Sequence, residues 1–224
     1  MSPLIVAIDG PSGVGKSTTS RMLAHALSVP HIDTGAMYRA IAVKALHASV
    51  ALDDEAELER IAASSLIEFV RSGEGVRVLL DKVDVTDAIR APEVSMAAST
   101  VSAMPAVRRL LVKLQQELGK REGGVLEGRD IGTKVFPETA HKFFLTASPD
   151  VRASRRTREL RARGIEQRLE EVRAEIVQRD EQDSTRADSP LLVDDSYFVL
   201  DTSDLSIDEV VERMLARISH SPSP

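Results

Sequence analysis

The sequence predicts an α/β fold: a parallel sheet flanked by helices, a small antiparallel β insert, and a largely helical segment late in the chain. Three observations carry this. Short β-type apolar runs alternate with stretches of helical periodicity. "IDGPSGVGKSTTS" joins the first such run to the first helix. Residues 66–85 then break the alternation with short β-rich runs set close together.

In order along the chain, residues 4–8 form the first β run, and residues 16–27 a helix with Met22, Leu23, Ala26 and Leu27 on one stripe. Residues 30–32 give a brief extended piece. "DTGAMYRAIAVKALH" reads as a helix over about residues 35–47, and "DEAELERIAASS" as another after the cap signals Asp53 and Asp54. "LIEFV", "VRVLL" and "KVDV" make up the insert, separated at Ser72-Gly73-Glu74-Gly75 and at Asp81-Lys82. Val107, Leu110, Leu111, Leu114 and Leu118 mark a helix over residues 105–119, closed by Gly119 and the turn at Gly123-Gly124. "VLEGRD" and "KFFLTAS" read as buried strands. Ser148 and Pro149 suit the N-cap and first position of the next helix, which Gly164 ends. Residues 165–179 are helical again. "YFVLDTS" is a late strand and "SIDEVVERMLARI" the closing helix, with Ser206 and Glu209 at capping-box spacing. The last six residues fray.

At 224 residues the chain suits one domain with a core of its own. Hydrophobic residues at 42% and charged residues at 29% match soluble globular proteins, and no run approaches the roughly 18 apolar residues of a membrane span. Cysteine is absent, which excludes disulfides and thiolate chemistry and suits a reducing compartment. "MSPLIVAIDG" has no basic segment and reads as a strand rather than an export signal, so the cytoplasm is expected. A net charge of −6 argues against a general polyanion binder, so neither nucleic acid nor membrane is expected as a partner. Any positive site must be local.

Gly10, Pro11, Ser12, Gly13, Val14, Gly15, Lys16 and Ser17 match the P-loop pattern in full. Glycines let the backbone wrap so that successive N–H groups point inward, and the following helix adds its positive end. Lys16 should reach the β- and γ-phosphates of a nucleotide, and the Ser17 hydroxyl should ligate Mg2+. A ligand of a parallel sheet sits at the carboxyl ends of the strands, where this loop lies.

Holding a nucleotide leaves open a kinase and a switch. A GTPase-type switch needs an N-K-x-D element; Asp81-Lys82-Val83-Asp84 lacks the Asn and lies in alternating β sequence, so it reads as the wet side of a hairpin. A small-substrate kinase must bring two anions together and cancel their repulsion with cationic groups. Arg152, Arg155, Arg156, Arg158, Arg161, Arg163 and Arg168 crowd one segment. At 100° per residue they cannot share one helix face. A subset, Arg155, Arg156 and Arg158, is expected to reach the transferring phosphates; the others are wet or paired. Taken alone, the cluster equally suits a solvated surface or a nucleic-acid patch.

In this order, "IDGPSGVGKST", "DTGAMYR", "EGRDIGTKVFP" and "RDEQDSTR" resemble the motifs of the bacterial cytidylate kinase family, whose members phosphorylate CMP and dCMP. The resemblance runs from Ile5 to the closing helix and includes the β insert. It implies a P-loop nucleoside-monophosphate kinase fold: one kinase domain over residues 1–224, with a core at about 1–60, 93–150 and 190–219, a monophosphate-binding insert at about 61–92, and a lid at about 151–189. ATP is then the donor, bound by residues 10–17 with Thr18, and a monomer is expected. Thr34 and Arg39 fall at positions that contact the monophosphate, Arg39 on its phosphate. Ser99 and Arg108 match base-reading positions, and Arg129 and Asp130 lie beside phosphate and base. Arg179, Asp183 and Arg186 match a sugar-and-phosphate set. Lys16 and Arg129 join the lid arginines as the catalytic group.

The base-reading residues make chemical sense. A carboxylate such as Asp130 can accept from the N4 amino group of cytosine while Arg108 donates to the ring, whereas uracil inverts part of that pattern. His25, His31 and His47 fall in no matched motif and read as surface or core-edge residues, since an ionised phosphate acceptor needs little base help. One departure is that "VLEGRD" is not a plain apolar strand ending in Asp, which leaves open the acid that orders the Mg2+ waters. Kinases for another small acceptor, such as UMP or shikimate, and a non-catalytic nucleotide switch are the alternatives.

Overall fold

The structure, a computed structural model, describes residues 3–72 and 75–220. The expected turn at Gly73-Glu74 and the last four residues of the tail lie outside them. The order is β1 (Ile5–Asp9), α1 (Lys16–Ala26), β2 (His31–Asp33), α2 (Thr34–His47), α3 (Glu55–Ala63), β3 (Ile67–Ser72), β4 (Gly75–Leu80), β5 (Val83–Asp84), α4 (Pro92–Ala103) and α5 (Pro105–Glu122). It continues with β6 (Gly124–Gly128), β7 (His141–Thr146), α6 (Pro149–Ala162), α7 (Leu169–Thr185), β8 (Phe198–Asp201) and α8 (Ile207–Ser219). Two compact units result, one from residues 1–31 and 119–224, the other from residues 32–118.

The larger sheet has the order β2-β6-β1-β7-β8, and β1 pairs in parallel with both β6 and β7. Val6, Ala7 and Ile8 are all buried although their side chains alternate between faces, as a parallel sheet covered on both sides requires. In the first unit Leu23 of α1 and Val210 and Met214 of α8 pack with Val6, Ile8, Phe143 and Leu145. In the second unit Met37, Ile41, Leu58, Val101, Val107 and Leu111 form a separate core beside the antiparallel sheet β3-β4-β5. No helix among the described residues is long and apolar enough to cross a membrane.

Local chemistry explains most of the ends. The Asp33 and Asp54 carboxylates accept from the Ala36 and Glu57 amides, capping α2 and α3, and Ser148 and Ser206 do the same for α6 and α8. Three elements differ from expectation. Gly119 does not end α5 but lies within it, because a Cβ there would come 2.5 Å from the Phe136 ring. The helix stops instead at Gly123, whose φ is +66°. Phe136 is thus the packing partner of Gly119. Residues 165–179 are not helical throughout: α7 begins at Leu169, because Ile165 first packs onto Ala153, Leu160, Val172 and Ile176, and it continues to Thr185. Finally, α4 was not anticipated, although Pro92 at its start and Val94, Ala97, Ala98 and Val101 at helical spacing spell it out.

Candidate active site

The ends of β1, β6, β7 and β8 deliver the chemistry of the first unit. After β1, Gly10, Gly13 and Gly15 take φ values of +147°, +79° and +96°. A Cβ on Gly10 would overlap the Leu145 carbonyl, and one on Gly13 would lie 3.2 Å from the Arg152 Cβ. Four of the loop's carbonyls have side-chain donors. The Lys16 Nζ donates to the Gly10 and Pro11 oxygens at 2.7 Å each, Arg152 to Ser12 at 3.1 Å, and the Thr202 hydroxyl to Val14 at 3.1 Å. In a trans peptide the carbonyl and the next N–H point opposite ways. Anchoring the oxygens of Pro11, Ser12 and Val14 therefore turns the amides of Ser12, Gly13 and Gly15 to the other side, where with the start of α1 they suit an anion.

Lys16 is buried, and burial brings its pKa from 10.5 down to about 7; the charge of Arg129 pushes the same way, while Glu127, Asp183 and Asp9 oppose it. Ser17 donates to Glu127 Oε2 at 2.9 Å, and the other oxygen of that buried carboxylate lies 2.8 Å from His31 Nε2. Asp9, fully buried, accepts from the Ile131 and Gly132 amides at 2.9 and 2.8 Å and from the Tyr197 hydroxyl at 2.8 Å. Those amides belong to the helical turn that follows Arg129 and Asp130.

Beside the loop, Arg129 Nε donates to Asp183 Oδ2 at 2.7 Å. Burial works against the arginine's charge, but the carboxylates of Asp183, Asp180 and Glu127 outweigh it and hold its pKa above the ordinary value. Asp183 is held low for the converse reason: burial would raise it, and Arg129, Arg186 and Arg179 overcome that. Arg186 stands 3.8 Å from Asp130 and 3.6 Å from Asp183 and donates to the Ser189 carbonyl. Five of the expected residues, Arg129, Asp130, Arg179, Asp183 and Arg186, thus form one charged group with Lys16 close by. The lid arginines diverge. Arg155 donates to Thr202 Oγ1 at 3.0 Å and approaches the Val14 carbonyl at 3.5 Å, Arg156 pairs with Glu159 at 3.0 Å, and Arg158 contacts the Ser154 carbonyl of its own helix at 3.3 Å.

The second unit holds the other expected residues. Arg39 donates to Asp33 at 2.7 Å, and Thr34 is buried at the start of the same helix. Arg108 is 2% exposed, donates to the Ser102 carbonyl at 3.0 Å and lies 5.5 Å from the centre of the Tyr38 ring. Ser99 is half-buried on α4.

Sequence reasoning missed Glu127 and Asp9, read His31 only as a surface or core-edge residue, and placed Arg152 among the wet or paired arginines, of which it is a paired one. Glu127 was visible as the acid of "VLEGRD", but its meaning depends on β6 lying against β1, with Ile8 opposite Glu127. That places it next to Ser17. His31 gained its role from the same strand order.

The model of the cytidylate kinase family matches residues 6–220. A cytidylate kinase of Syntrophotalea carbinolica is 50% identical over 212 residues, covering 95% of this chain and 90% of its own. One from Geobacter sulfurreducens is 49% identical, covering 94% and 91%. Among solved structures, an uncharacterized protein from Eubacterium ventriosum aligns over 97% of this chain and 99% of its own with a TM-score of 0.53 at 12% identity, a likeness of fold alone.

Proposed function

Because the chain belongs to the cytidylate kinase family, we infer that it transfers the γ-phosphoryl group of ATP to CMP or dCMP, giving ADP and CDP or dCDP. The observation that carries the reading at the level of chemistry is the meeting of Lys16, on the phosphate loop, with the charged group of Arg129, Asp183 and Arg186. A phosphate oxygen of the acceptor forms the new bond to the γ-phosphorus as the bond to the bridging oxygen of ATP breaks. The acceptor oxygen is already ionised, so positioning and charge neutralisation are what the protein must supply.

The turned amides of the loop hold the donor phosphates, with Lys16 on the β- and γ-oxygens and Thr18 completing the set. Arg39, Arg129 and Arg186 hold the acceptor phosphate, Thr34 assists, and Asp183 with Arg179 holds the sugar. Ser99, Arg108 and Asp130 read the base. Arg155, the one of the three expected arginines that approaches the loop, neutralises the transferring group; Arg156 and Arg158 reach it on exchanging their present partners. The segment at about 61–92 serves as the monophosphate-binding insert and 151–189 as the lid of a monomeric cytoplasmic enzyme.

The oxygen donors at Ser17 and Glu127 fit Mg2+, which prefers hard oxygen ligands. Its charge would help neutralise the donor phosphates. Ser17 would hold it, Glu127 would order its waters, and His31 fixes the carboxylate that does so.

The test is ATP with Mg2+ against a panel of nucleoside monophosphates, read by coupled ADP release. CMP or dCMP should lead UMP by about tenfold or more, because a mismatched buried polar group costs about 1–3 kcal/mol. A preference for an acceptor without a cytosine ring would refute the base-reading set.

A further inference from the structure

We infer that Arg152 is a positioning residue tying the phosphate loop to α7, so that a nucleotide on the loop strengthens the hold of α7 on the acceptor. The inference rests on the assignment of Arg179 and Asp183 to the acceptor. Arg152 is 4% exposed, and its guanidinium reaches three elements at once. Nε donates to the Ala147 carbonyl after β7 at 3.0 Å, Nη1 to the Ser12 carbonyl of the loop at 3.1 Å, and Nη2 lies 2.6 Å from Asp180 Oδ2 on α7. The neighbouring arginines go elsewhere: Arg155 to Val14 and Thr202, and Arg156 and Arg163 to Glu159. A planar, delocalised fork cannot shift one of these bonds while leaving the others in place.

Both ends of this tie face nucleotide chemistry. The Ser12 oxygen and the Gly13 amide are opposite ends of one peptide group, so an anion on that amide and Arg152 on that oxygen polarise the same unit and reinforce each other. At the other end, Asp180 follows Arg179 directly and precedes Asp183, which accepts from Arg129 at 2.7 Å. A firmer Arg152 fixes Asp180, and α7 is then ordered before the acceptor arrives, which lowers the entropy cost of binding it. Linkage makes the effect mutual: CMP must tighten the donor by the same factor.

Calorimetric titration of CMP with and without saturating ADP and Mg2+ tests this without turnover. In the wild type ADP should tighten CMP by about fivefold or more, within the usual span of such couplings. In Asp180→Asn the ratio should fall to within about twofold of one, and Arg152→Lys, whose single ammonium cannot span three acceptors, should behave alike; if that variant does not fold, Asp180→Asn decides. Asp150→Asn is the control, since Asp150 pairs with Arg173 across the same two helices at 2.5 Å without touching the loop. It should keep the wild-type ratio. A wild-type ratio of one, an undiminished ratio in Asp180→Asn, or an equal loss in Asp150→Asn would each overturn the tie. Absence of CMP binding to the wild type would instead remove the acceptor assignment beneath it.

Discussion

At the scale of single residues, burial decides the chemistry more than residue type does. Lys16→Ala should lower kcat by about 10^2–10^3-fold, the usual effect of losing one preorganised charge at a transition state, with thermal unfolding little changed. Near-normal turnover would contradict the donor assignment. Asp9 gives a pH signature. Burial is the largest influence on its carboxyl and raises the pKa from 3.8 to about 6, against the pull of the Ile131 and Gly132 amides. A raised value means that the folded chain holds the proton more tightly than the unfolded one. The contribution of Asp9 to stability is therefore complete below about pH 4 and is lost as the pH climbs through 6, a swing of about 3 kcal/mol at roughly 1.4 kcal/mol per unit. Asp9→Asn cannot titrate. Urea melts should show wild type losing about 2 kcal/mol of that relative to the variant between pH 4 and 6.5, and parallel profiles would disprove it. Of these residues Lys16 was legible from spacing alone. Asp9 was not, since the amides and hydroxyl that hold it come from residues 131, 132 and 197, which the chain sequence does not place beside β1.

At the scale of elements, the strands and most helices were readable because period and caps agreed, as in Asp54 for α3 and Ser206 with Glu209 for α8. The failures came where tertiary contact overrode a local signal. Glycine within a helix costs about 1 kcal/mol against alanine, so Gly119 read as a stop. Packing against Phe136 reverses that preference. Gly119→Ala should destabilise the fold by about 1–3 kcal/mol through overpacking in spite of the better helix former, and Phe136→Leu in the same chain should recover part of the loss. A rise in Tm for the single variant would rule out this packing argument.

At the scale of the molecule, the P-loop and its place at the strand ends were legible from order and spacing, while the alliance of Arg129 with Asp183 and Arg186 needed the late helix to be folded back. CMP at about 100 times its Kd should stabilise the chain by about 2.7 kcal/mol in denaturant melts. Asp183→Asn should forfeit most of that increment at the same CMP concentration, and an undiminished increment would exclude Asp183 from the acceptor site. The net charge of −6 does not prevent binding of two anionic nucleotides, because the positive groups are gathered locally. The strand order has one further effect. The larger sheet is bordered by its two shortest members, β2 with three residues and β8 with four. Rims so brief give a neighbouring copy little backbone on which to add a strand, and that guards the protein against edge-to-edge aggregation when it is concentrated.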